Sequence, residues 1–132
     1  MKDAIREYLK NKGCAEHIVK GGLQGLVEMW ETIVTEISHG YDLTFEDYLG
    51  DMDTRQLLEE VKPLATTAAH KSLIRKLGRI DAIMRTLVES TQQALPGEHI
   101  AQEQNWIPAR HWWYFSKPKY LGPDLREEME NL

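Results

Sequence analysis

Between Cys14 and Gly40 the apolar side chains Ile18, Leu23, Leu26, Val27, Trp30, Ile33, Val34 and Ile37 recur at intervals of three and four. A helix completes a turn every 3.6 residues, so this spacing gathers them on one face. Gly40 stands where a left-handed C-terminal cap is wanted. Upstream, Ile5, Tyr8 and Leu9 predict a shorter helix ended by Gly13, and the two helices form a hairpin. Gly21, Gly22 and Gly25 fall inside the second helix, each at a cost of up to about 1 kcal/mol relative to alanine. Gly21 and Gly25 share a face, which predicts a groove for close approach of another helix or ring. The alternative is a hinge or helix break near Lys20.

Thr44, with Asp47 three residues on, has the form of a capping box, and Phe45, Tyr48, Leu49 and Met52 follow at helical spacing. Asp51 and Asp53 are expected to interrupt that helix or to cap a next one carrying Leu57, Leu58 and Val61. Pro63 lacks an amide proton and marks a break. The longest helix is predicted from about Leu64 to about Ala94, with Leu73, Ile74, Leu77, Ile80, Met84, Leu87 and Val88 buried and Pro96-Gly97 closing it. Residues 98–108 read as a loop or a short helical turn. Residues 106–120 read as an extended segment or short strands laid on the bundle, and Leu125 and Met129 belong to a final turn after Gly122-Pro123. The expectation is an all-α fold: one domain over residues 1–132, a bundle of about five helices with an aromatic-rich segment at 106–120 packed on it and a short terminal helix or tail at 121–132.

Composition narrows the setting. The chain has 132 residues, 42% hydrophobic and 28% charged, with 16 basic against 21 acidic side chains for a net charge of −5. A chain of this size can bury a self-sufficient core. One cysteine, Cys14, excludes an internal disulfide and fits a reducing compartment. The first residues are too charged for a signal peptide, and no stretch approaches the ~20 apolar residues of a membrane span. A cytoplasmic protein without membrane association is therefore expected.

Candidate chemistry is sparse. Glu36 and His39 match half of a carboxylate-bridged di-iron motif, but no second Glu-x-x-His exists. Asp51-Met52-Asp53 opens like a calcium loop, yet Gln56 and Lys62 stand where glycine and glutamate are required. One cysteine and scattered histidines give no zinc spacing, and neither a nucleophile elbow nor a phosphate-binding glycine loop is present. No metal, no cofactor and no catalytic residue is predicted. Asp81 lies beside Ile80 in an apolar stripe, so it needs a partner, and Arg85 or Arg55 can supply one.

The segment from Trp106 to Tyr120 holds six of the eleven aromatic residues together with Arg110, Lys117 and Lys119 and no acid. Trp106, Trp112 and Tyr114 are expected to close the end of the bundle over Gly21 and Gly25. Alternation along an extended chain would then turn Trp113 and Phe115 outward, giving a partner-binding surface of Arg110, Trp113, Phe115 and Tyr120. The Asp47, Asp51 and Asp53 face is a second contact candidate, suited to a basic partner. Two other readings stay open. One is a ligand-binding or enzymatic pocket between helices, lined by Trp30, Tyr41, Tyr48 and Trp112 with Arg55, Asp81 and His111 as its polar groups. The other is single-stranded nucleic acid on the aromatic and basic segment, which the −8 carried by the remaining 117 residues disfavours.

Three landmarks carry a resemblance: Trp30 in a helix ending at Gly40-Tyr41, the stretch from Leu43 to Arg55 (LTFEDYLGDMDTR), and the Trp112-Trp113-Tyr114 cluster before Pro118. Together they resemble a group of small all-helical bacterial proteins without assigned activity. Some small acidic proteins of that type are regarded as inhibitors or immunity partners. The resemblance implies a non-catalytic protein that binds another protein as inhibitor, immunity factor or accessory subunit, or that self-associates, and it assigns no residue a role.

Overall fold

Helix α2 (Glu16–Ser38) is the central rod of the computed structural model, which describes residues 3–130. Its predicted apolar face is buried from Leu23 to Ile37, and α1 (Ala4–Asn11), α3 (Phe45–Val61) and α4 (Ala68–Leu87) pack around it. Two shorter helices, α5 (Glu98–Gln104) and α6 (Pro123–Glu130), and a two-stranded ribbon of β1 (Val88–Ser90) and β2 (Ser116–Pro118) complete the architecture. The chain is all-α in class, as its periodicity predicts. Its buried side chains form one contiguous cluster. The last two residues of the predicted tail lie outside the described residues.

Helix starts follow local chemistry. Asp3 accepts the amides of Ile5 and Arg6 at 3.0 and 3.2 Å, Thr44 and Asp47 form the reciprocal capping box, and Thr67 accepts the amide of His70 at 3.0 Å. Each cap satisfies backbone donors that a first turn leaves free. Pro63 sits in a 3-10 turn (Lys62–Leu64) that separates α3 from α4.

Four expectations need correction. The glycines of α2 do not form a packing groove for this chain, because a Cβ on Gly21 or Gly25 would meet nothing within 4 Å. Gly22 instead breaks the helix with φ +59° and ψ −151°, and Arg6 reaches from α1 to the freed Lys20 carbonyl, Nε at 3.2 Å and Nη2 at 3.1 Å. Helix α3 runs unbroken through Asp51 and Asp53, since acids two apart on a helix fall on different flanks and need no interruption.

The long helix begins at Ala68 and ends at Leu87. Val88 is buried as predicted but in extended conformation, with Val88, Glu89 and Ser90 opposite Pro118, Lys117 and Ser116. Leaving the helix there gives the Leu87 carbonyl to the Lys119 amide at 2.9 Å, and the Thr91 and Leu95 amides reach the Phe115 and Tyr114 carbonyls. The C-terminal segment is thereby held by backbone hydrogen bonds along its crossing of the apolar end of the bundle. Further on, Gly122 donates to the Tyr41 carbonyl at 2.7 Å, and a Cβ on Gly122 would lie 2.6 Å from that oxygen.

The fourth correction concerns Trp112–Phe115, which form a 3-10 turn rather than an extended run. All four side chains are buried, Trp113 with 0% of its surface exposed. The expectation that Trp113 and Phe115 face outward rested on strand alternation, and a helical turn does not alternate.

Candidate functional site

A polar network spans the core where α2, α3, α4 and the aromatic turn meet. The Trp30 indole donates to Asp81 Oδ1 at 2.9 Å, while Arg55 donates through Nε and Nη2 to both oxygens of the same carboxylate at 3.1 and 2.9 Å. The guanidinium also reaches Glu59 at 3.2 Å and lies 4.3 Å from the centre of the Trp113 ring. Asp81 thus takes Arg55, one of its two predicted partners, and Arg85 lies 4.4 Å from the centre of the Trp112 ring instead. Burial would raise the Glu59 carboxyl, but Lys62, Arg55 and Arg110 together hold it below its ordinary value. Removing one member of such a buried pair typically costs about 3–5 kcal/mol, whereas the intact pair adds little stability.

The residues expected to line an interhelical pocket are divided between two packed clusters. Trp30 and Arg55 both bond Asp81, and Trp112 and His111 each meet the Trp113 ring edge-on with centroids 5.7 Å apart. His111 Nδ1 accepts the Ile107 amide at 3.0 Å, and burial followed by the Arg110 charge lowers the affinity of its ring for a proton. Tyr41 and Tyr48 pair separately, 5.3 Å apart and edge-on, with the Tyr41 hydroxyl donating to Asp51. Burial raises both phenol pKa values, Tyr41 further through its hydrogen bond to Asp51. Of these residues, Tyr41 lines a surface cleft, together with His39 and Asp42.

The proposed partner-binding set also separates. Trp113 and Phe115 belong to the core, Tyr120 is 62% exposed, and Arg110 is exposed with Nε 3.4 Å from Glu59. Trp106 stacks on Tyr114 at 3.9 Å and walls a cleft of about 380 Å³ that also holds Lys12, Cys14, Asp53 and Glu60. Charges there are met internally. Glu60 accepts from the Tyr8 hydroxyl, the Lys12 ammonium and Gln56, and Asp53 accepts from the Tyr114 hydroxyl.

A different arrangement runs along the second half of α2 and the start of α3. Two adjoining cavities of about 610 and 340 Å³ share Glu36 and Leu43. Met29, Ile33 and Leu43 supply an apolar floor, and Glu28, Glu36, Asp42 and Asp51 supply the rim. Among the described residues no lysine or arginine lines either cavity. Glu28, Glu36 and Asp42 make no ion pair among the described residues. Burial raises the Asp51 pKa, and the neighbouring Glu36 and Asp47 charges raise it further against the pull of the Tyr41 hydroxyl. Of the predicted acidic face, Asp51 lines this groove, Asp47 is engaged in the capping box, and Asp53 faces the other cleft.

The opposite charge collects on α4. Lys71, Arg75 and Arg79 are four residues apart and exposed, with no ion pair to the described residues, and Ile83 extends the row with 55% of its surface exposed. Sequence reasoning missed this stripe because it followed only the apolar period of the helix. The four-residue repeat of cations was the available signal.

Among the described residues no helix is long and apolar enough to cross a membrane, and no group of three or more histidine, cysteine or carboxylate side chains is placed to hold a metal ion. No family model, no curated protein and no solved structure matches the chain.

Proposed function

We propose that this protein binds another protein, and that its contact surface is the acid-rimmed groove between α2 and α3 rather than the aromatic segment. The observation that carries the reading is an apolar floor bordered by carboxylates of which Glu28, Glu36 and Asp42 make no ion pair among the described residues. Exposed apolar surface rimmed by one sign of charge favours a partner that is apolar on one side and cationic at its edges. A basic amphipathic helix has that chemistry, with apolar side chains at i, i+3 and i+4 entering the groove. An inhibitor, immunity factor or accessory subunit would act through such a contact. The pocket alternative draws less support, because most of its residues are packed against one another. The nucleic-acid alternative needs aromatic rings free to stack on bases, and those of Trp112–Phe115 are buried.

The test is titration of the protein with a synthetic helical peptide carrying leucines on one face and lysines on its flanks. Saturable binding that weakens with salt is expected, together with its loss in the Glu28→Lys/Glu36→Lys variant. Absence of saturable binding, or equal binding by that variant, would overturn the assignment.

A further inference from the structure

We infer that the occupant of the groove is the basic face of α4 on a second copy of the chain, an inference that rests on the groove reading above. The two surfaces match in sign and in repeat. Glu28 and Glu36 are eight residues apart on α2, about 12 Å along the axis at 1.5 Å per residue, and Lys71 and Arg79 on α4 are separated by the same eight residues with Arg75 between them. Asp51 from α3 adds a third carboxylate beside the row. Each side lacks what the other offers, since neither cavity is lined by a lysine or arginine and the stripe has no acidic partner among the described residues.

No residue of α4 lines either cavity, so a chain does not fill its own groove. Lys76, which does pair with Glu31 of α2 at 3.4 Å, lies off the stripe. Two glycines strengthen the match. Gly25 lines the groove and Gly78 lies one turn along from Arg75, and a Cβ on either would meet nothing within 4 Å. Glycine weakens a helix interior, and neither position has a packing reason within the chain. Each lies beside its charged row and leaves room on its own helix surface for the backbone of the other copy to approach. The net charge of −5 on each copy opposes approach, but at physiological salt it is screened beyond about 8 Å, whereas contact pairs are screened much less.

Sedimentation of the full chain over a concentration series, at low and high salt, tests the inference. Wild type should associate with increasing concentration and dissociate at high salt. Glu28→Lys/Glu36→Lys and Arg75→Glu/Arg79→Glu should each weaken association by roughly tenfold or more, with helicity by circular dichroism unchanged. Mixing the two variants should restore a two-copy species, because one keeps its stripe and the other its groove. A wild type that stays monomeric, association indifferent to either pair of substitutions, or a mixture that stays monomeric would overturn it. If the chain is monomeric while the cationic peptide still fills the groove, the second copy is the wrong occupant and the groove reading stands. If the peptide does not bind, the groove reading itself fails.

Discussion

At Gly22 the backbone adopts φ +59° and ψ −151°, a region essentially reserved for glycine. A Cβ there would also meet the Arg6 guanidinium at 3.3 Å, so the side chain that fills the broken turn would have to move. Gly22→Ala is therefore expected to destabilise the fold by about 1–3 kcal/mol, read as a lower midpoint in urea unfolding. Gly25→Ala is the control. It has ordinary helical surroundings and open space, and at concentrations where the chain is monomeric it should be neutral or stabilising by up to about 1 kcal/mol. Equal effects at both positions would mean that the kink is not what Gly22 is for. The sequence shows three glycines at helical spacing, and helix propensity ranks them alike. Only the tertiary position of Arg6 separates the one that must be glycine from those that need not be. The Asp81 carboxylate was more legible, because an acid in an apolar stripe requires a partner and few cations are within reach.

Along α3 the carboxylates experience opposite environments within a few turns. Burial raises the Asp51 and Asp53 pKa values, while Glu60, which burial alone would also raise, is lowered by its hydrogen bonds from Lys12, Tyr8 and Gln56. A carboxyl with a lowered folded-state pKa contributes stability that is present above its unfolded value and is lost as pH falls through the folded value. The raised aspartates act with the reverse sign, favouring the fold where they are protonated and opposing it as pH rises through their folded values. Stability of wild type minus that of Glu60→Gln should accordingly be largest near neutral pH and shrink on acidification past the ordinary carboxylate range. A difference that is flat with pH would show that the Glu60 ionic contacts contribute nothing. Helix periodicity located α1, α2 and the heart of α3 and α4, because a buried face repeats regardless of partners. It failed at Asp51–Asp53, where polar flanks were read as a break. It also failed after Leu87, where Val88 satisfies a helical period and a buried strand equally well. The ribbon depends on residues 116–118, nearly thirty positions away, and no local pattern carries that pairing.

Across the whole molecule the C-terminal segment is tied to α3, to the end of α4 and to the connector between α2 and α3. Trp113 is fully buried under the Arg55 guanidinium, β2 pairs with β1 at the end of α4, Gly122 and Tyr41 join it to the α2–α3 connector, and Glu128 of α6 accepts the Phe45 amide at the start of α3. If these ties act together, the segment is part of the cooperative core and not an appended flap. Trp113→Ala removes the largest side chain at the junction and should cost about 3–5 kcal/mol, the usual range for a buried tryptophan. Cooperativity makes a sharper demand than the magnitude. Unfolding followed by near-ultraviolet dichroism, which reports the aromatic turn, and by far-ultraviolet dichroism, which reports the helices, should coincide in wild type and shift together in the variant. Amides of Leu95 and Lys119, bonded to the Tyr114 and Leu87 carbonyls, should exchange with the same opening free energy as amides in the centre of α2. Separate transitions, or early exchange at those two amides, would mean that the helices fold without the segment. The acid-rimmed groove would then be a property of α2 and α3 alone, because its described lining lies entirely between residues 17 and 51.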